Sequence, residues 1–150
     1  MDRVQKALTC FKEGFSCSQA VLSAFCEPLG LDLFTALKIS QSFGGGMAYM
    51  GETCGAVTGA FMVIGLKHGR IRTNDDAAKE KTYELVQEFV QRFRTKHGSI
   101  LCRELLEYDL SREDEFKEAQ EKKLFDELCP KLVQTAAEIL EGLISTPEES

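Results

Sequence analysis

The stretch Gly44-Gly45-Gly46-Met47-Ala48-Tyr49-Met50-Gly51-Glu52-Thr53-Cys54-Gly55-Ala56-Val57-Thr58-Gly59-Ala60 decides how this chain folds. Three consecutive glycines close one segment of helical periodicity, and the link through Thr53 delivers Cys54 onto the first turn of another helix. Gly51, Gly55 and Gly59 recur at four-residue spacing. Residues i and i+4 share a helix face, so Gly55 and Gly59 form a groove where a second backbone can approach. A thiol beside that groove, at a helix start, is the most chemically suggestive feature of the sequence.

Working outward, the Cys54 helix carries Val57, Phe61 and Ile64 on the Cys54 face and runs to about Lys67 before His68-Gly69 stops it. Asn74-Asp75-Asp76 opens the longest helix, with Ala78, Leu85, Val86, Phe89, Val90 and Phe93 on its stripe. Lys96-His97-Gly98 ends it, cations in the last turn followed by glycine. Upstream, Val4, Ala7, Leu8 and Phe11 mark a first helix that stops at Gly14. Ser16 and Gln19 have capping-box spacing and open a helix striped by Cys17, Ala20, Val21, Ala24 and Phe25. Pro28 and Gly30 close it, and Asp32 caps a third helix that ends in the glycine triplet.

Past Gly98, Ser99 caps a short helix from Ile100 to about Glu107, with Leu101, Cys102, Leu105 and Leu106 together on one side. A charged stretch from Ser111 follows, and an amphipathic run reaches Leu124, Phe125 and Leu128. Pro130 suits the first position of the last helix, which puts Cys129 at about its N-cap. The stripe there is Leu132, Val133, Ala136, Leu140, Leu143 and Ile144. The period stays near 3.6 throughout, without strand alternation. These patterns predict an all-α, bundle-like single domain over residues 1–144, built from seven or eight helices, with 145–150 as a frayed tail.

Composition narrows the function. A chain of 150 residues has room for a core without disulfide or metal staples. Net charge is −6 with the lysines and arginines dispersed, which disfavours nucleic acid and anionic membrane as partners. Met1 to Thr9 lacks the apolar core of a secretory signal. The longest nearly apolar run, Cys54 to Leu66, is 13 residues, against roughly 18 or more for a membrane span. The expected compartment is the cytosol, where thiols are kept reduced. Six cysteines in such a chain point to metal binding, redox chemistry or simple burial.

The helix map sorts these thiols. Cys17, Cys54 and Cys102 fall in first turns, and Cys129 sits at a helix start, whereas Cys10 and Cys26 lie late in their helices and read as core filler. Helix N-termini present unpaired amides and partial positive charge, which stabilise a thiolate. Thiolate is both the nucleophile of disulfide exchange and the ligand of soft metals. Burial as small hydrophobes is the competing reading. No Cys-x-x-Cys occurs, so the thioredoxin, zinc-knuckle and ferredoxin spacings are absent, and a four-cysteine site requires convergence from distant helices.

Other motifs carry less. Gly46 to Thr53 has P-loop spacing, but Glu52 stands where the lysine belongs and no strand precedes it, so nucleotide binding is rejected. His68 and His97 each precede a C-terminal glycine, where the helix dipole accounts for them. The Gly55/Gly59 groove serves either the chain's own core or a homodimer.

The segment Glu13-Gly14-Phe15-Ser16-Cys17-Ser18-Gln19-Ala20-Val21, the glycine triplet, and Cys54-Gly55-Ala56-Val57-Thr58-Gly59 together resemble the C_GCAxxG_C_C family of small bacterial and archaeal redox-active proteins. The resemblance spans about Val4 to Leu143, with Cys102 and Cys129 as the third and fourth cysteines by order and spacing. It implies a redox or metal-linked role for Cys17, Cys54, Cys102 and Cys129. Together with the helix-start placement, it leads to the expectation that Cys54 is the low-pKa attacking or relaying thiol and Cys17 its partner. Cys102 and Cys129 would then form a second pair or resolving thiols, serving an unidentified redox partner. The alternatives are an iron–sulfur or zinc site on the same four cysteines, and a helical interaction module in which they only pack.

Overall fold

Side-chain caps start the first helices. In the computed structural model, which describes residues 1–144, the Asp2 carboxylate accepts from the Gln5 amide at 2.7 Å and opens α1 (Arg3–Lys12). Ser16 and Gln19 form the reciprocal capping box of α2 (Cys17–Phe25), and Asp32 accepts from the Thr35 amide to start α3 (Leu33–Ser40). A single turn, α4 (Gly44–Met47), precedes α5 (Gly55–His68) and the long α6 (Asp76–His97), capped by Asp75. Then come α7 (Cys102–Leu106), α8 (Glu113–Glu121), the single turn α9 (Leu124–Glu127) and α10 (Cys129–Ile144). Eight of these ten span five residues or more, and no strand occurs among the described residues. The fold is all-α, as the periodicity predicts. None of the helices described is long and apolar enough to cross a membrane.

The core forms where α2 crosses α5, with α1, α6 and α10 closing around them. Phe25, Phe89, Phe93, Leu22, Ile64 and Leu140 are wholly buried there. The groove of α5 is what lets α2 in. A Cβ added to Gly59 would lie 2.9 Å from the Ser18 carbonyl oxygen, and one on Gly55 would lie 3.0 Å from the Ser18 amide nitrogen. The chain's own α2 fills this groove, which answers the choice between core and second copy at that position. A smaller cluster of Cys102, Leu106, Leu110, Ala119 and Cys129 lies beside the main core, with Phe11, Cys17 and Leu128 packed against both.

Several boundaries differ from the sequence reading. The glycine triplet does not close α3, which ends at Ser40 and passes into a 3-10 turn. Instead Gly45, Gly46, Met47, Ala48 and Tyr49 all take left-handed backbone angles, with φ between 55° and 70°. This left-handed turn is closed by the Ala48 amide donating to the Gly44 carbonyl at 2.8 Å. Ser99 does not cap α7 directly. Its hydroxyl accepts from the Leu101 amide, and Leu101 itself is held in an isolated antiparallel bridge with Thr53, so the helix starts at Cys102. The charged run divides at Lys123, whose φ of 59° separates α8 from α9. Cys129 is the first residue of α10 rather than its cap. The tail expected at 145–150 lies outside the described residues.

Candidate functional site: a cavity lined by four cysteines

The four cysteines singled out by the sequence come together. Cys17 is the first residue of α2, Cys54 the N-cap of α5, Cys102 the first residue of α7 and Cys129 the first of α10. The Thr53–Leu101 bridge sets two of them: the Cys54 amide donates to the Ile100 carbonyl at 2.8 Å and the Cys102 amide to the Glu52 carbonyl at 2.7 Å. Their side chains therefore emerge on one side of the bridge as diagonal neighbours. Arg103 fixes the same loop, donating to the Gly51 carbonyl at 3.1 Å and pairing with Glu52 at 3.2 Å. Glu52 is thus a structural member of the loop, in keeping with its unsuitability for phosphate.

Glycines make room for the sulfurs. A Cβ on Gly46 would lie 2.5 Å from that of Cys102, and one on Gly55 would lie 3.3 Å from that of Cys17. What remains between the four helix starts is a cavity of about 250 Å³ onto which Cys17, Cys54, Cys102 and Cys129 all open. Its walls are apolar, with Phe11, Leu106, Phe116, Phe125 and Leu132 among them, and among the described residues no lining side chain is charged. Tyr49 stands over it, edge-on to Phe116 at 4.8 Å between centroids, and Phe116 in turn meets Phe125 at 5.4 Å. The sequence missed this wall because its aromatics come from four separate elements, α1, the left-handed turn, α8 and α9, and share no spacing along the chain.

All six cysteines are free thiols. Cys10 and Cys26 lie away from the cavity: the Ser23 hydroxyl donates to the Cys10 sulfur, and the Cys26 thiol donates to the Ser23 carbonyl. Both pack as core, as the sequence reading has it.

The electrostatics of the four thiols differ. The amides of Ala56 and Val57 do hold the Cys54 thiolate, as a helix start should, but burial outweighs them and pushes its pKa from 9.0 up to about 12. Cys102 is pushed up to about 12 as well, first by burial and then by the neighbouring Cys54, Cys129 and Asp109. Cys17 and Cys129 lie close enough to act on each other: the Cys17 side chain lowers the Cys129 pKa against the opposing effect of burial, and Cys129, together with burial, holds Cys17 well above its ordinary value. Of the four thiols, Cys129 alone is lowered.

The donor set can be tested against a metal. Four thiolates would suit zinc or an iron–sulfur cluster. Among the described residues, however, no three Cys, His, Asp or Glu side chains are grouped so as to hold a metal ion. The arrangement supplies sulfurs around a space rather than a ready ligand set.

No curated protein and no solved structure matches this chain. The family model described as "Putative redox-active protein (C_GCAxxG_C_C)" matches residues 15–143, a span that holds all four cavity cysteines, and the chain belongs to that family.

Proposed function

We propose that this protein is a thiol redox protein in which Cys129 and Cys17 are the exchanging pair. One observation carries the reading: four cysteines from four helix starts open onto one cavity, and Cys17 and Cys129 lie close enough there for Cys17 to favour a thiolate on Cys129. The Cys129 thiolate attacks one sulfur of a substrate disulfide, forming a mixed disulfide and releasing the first thiol. The Cys17 sulfur, no longer beside a thiolate, then loses its proton and attacks the Cys129 sulfur. A Cys17–Cys129 disulfide forms and the second thiol leaves. Two electrons pass from protein to substrate; of the two protons on the released thiols, one comes from Cys17 and one from solvent, which took up the Cys129 proton when its thiolate formed. Cys54 and Cys102, held neutral by burial, face the same cavity as further resolving thiols. Six unpaired cysteines suit a compartment that keeps thiols reduced, such as the cytosol.

The test is alkylation of the folded protein across pH with peptide mass mapping, followed by mapping of disulfides after mild oxidation. Cys129 is expected to react first, with an apparent pKa below 9.0, and the oxidised protein is expected to join Cys17 to Cys129. A folded protein that forms no disulfide among the four cavity cysteines would overturn the reading. The same preparation, made anaerobically, decides the metal alternative by metal content and visible spectrum.

A further inference from the structure

The cavity does more than hold sulfurs; its size, polarity and mouth say what can reach them. Cys54, Cys102 and Cys129 are only 4%, 7% and 7% exposed, so a sulfur on the surface of a folded protein cannot approach them in line. A void of roughly 150 Å³ takes a molecule such as benzene, and drug-sized sites begin near 300 Å³. At about 250 Å³ this cavity falls between the two. Among the described residues its lining offers Ser16, Gln120 and the Tyr49 hydroxyl as polar side chains, and no Lys, Arg, His, Asp or Glu. A ligand carboxylate or ammonium would be buried there without a partner, which is strongly unfavourable.

The mouth is equally specific. Tyr49 lines the cavity yet is 53% exposed, so its ring stands at the boundary between cavity and solvent, braced on Phe116. It is carried on the left-handed turn, where Met47, Ala48 and Tyr49 itself hold positive φ without being glycine. Strain of this kind persists only where the surroundings hold it.

From these observations we infer that the substrate class of this site is a small, neutral, largely apolar disulfide, admitted past Tyr49 and bound whole inside the four-cysteine cavity. This rests on the proposed Cys17–Cys129 exchange and names what exchanges with it. The neutral disulfide takes two electrons from the Cys17–Cys129 dithiol, its sulfur–sulfur bond breaks, and it leaves as two neutral thiols. Peptide disulfides that carry carboxylates, and disulfides of folded proteins, are excluded by charge and by size.

The experiment measures the rate of Cys17–Cys129 disulfide formation in the full chain with three reagents. These are bis(2-hydroxyethyl) disulfide, oxidised glutathione and a folded protein bearing an exposed disulfide. Each rate is divided by that reagent's rate with the urea-unfolded chain, which removes intrinsic reactivity. The neutral disulfide is expected to exceed the other two by about tenfold or more on this scale. In Tyr49→Ala the advantage over glutathione should shrink, because the glutathione rate rises relative to that of the neutral reagent. Should Tyr49→Ala fail to fold, Phe116→Leu, which loosens the brace beneath the ring, reports the same effect. Equal or faster reaction of glutathione or the protein disulfide overturns the inference and leaves the Cys17–Cys129 chemistry standing. An advantage for the neutral disulfide that Tyr49→Ala and Phe116→Leu both leave unchanged overturns the gating role of Tyr49. Absence of a Cys17–Cys129 disulfide with every reagent removes the function reading itself, and the inference with it.

Discussion

Burial decides the ionisation of Cys54 and Cys102, and this has a consequence for stability. Both thiols rise from 9.0 in the open chain to about 12 in the folded one. Between those values the unfolded chain has lost protons that the native state keeps, so stability must fall as pH rises above about 9. The urea midpoint is expected to drop steadily from pH 8.5 to 10.5, and to drop less in Cys54→Ala or Cys102→Ala; a wild-type midpoint flat over that range would contradict the buried-thiol account. Gly46 gives a second test. An alanine there would hold φ at 68° and set its Cβ 2.5 Å from that of Cys102 and 2.9 Å from the Glu52 amide. Left-handed strain and overpacking together should cost more than about 2 kcal/mol in chemical denaturation. The sequence marks these positions as cysteine and glycine. It does not show which thiol ionises first, because burial and the Cys17–Cys129 contact are set by segments far apart in the chain.

At the scale of elements, α5 offers one substitution with two signs. Alanine is the better helix former by about 1 kcal/mol, so an unopposed Gly→Ala change inside a helix should stabilise. Among the described residues nothing lies within 4 Å of a Cβ at Gly65, and Gly65→Ala is expected to gain up to that amount. At Gly59 the new methyl would sit 2.9 Å from the Ser18 carbonyl oxygen of α2, a backbone atom that cannot turn aside. Gly59→Ala should therefore lose about 1–3 kcal/mol despite the same propensity gain. Thermal melts of the two variants check the pair, and equal shifts would mean that α2 does not press on Gly59. The Gly55/Gly59 groove was legible in the sequence because four-residue spacing fixes a helix face. The caps at Ser16, Asp32 and Asp75 were legible because each capping bond spans only three residues. Ser99 misled for the converse reason: the tertiary bridge to Thr53 engages Leu101 and delays the helix to Cys102. The left-handed turn at Gly45 to Tyr49 had only its glycines to announce it, and three of its five residues are ordinary side chains.

For the molecule as a whole, the two hydrophobic clusters are unequal, and the site lies on their seam. The main core gathers α1, α2, α5, α6 and α10, whereas the cluster behind α7, α8 and α9 holds only five buried side chains, two of them Cys102 and Cys129. All-α architecture and the main core could be read from the 3.6-residue period. The seam could not, since Phe11, Tyr49, Phe116 and Phe125 meet there from four separate elements. Cooperative units with less buried apolar surface open first. Amides of α7 and α8 are therefore expected to exchange faster than those of α2, α5 and the centre of α10 in native-state hydrogen exchange. A disulfide between Cys17 and Cys129 would tie α2 to the start of α10, across the mouth of this weaker half. Closing so long a loop stabilises a native state by about 2–4 kcal/mol. Oxidation should therefore raise protection at the start of α10 and in α2 together, and leave the α7 and α8 amides as the fastest. Uniform slowing across all helices would show instead that the molecule opens as one unit, with no weaker half through which the buried thiols are reached.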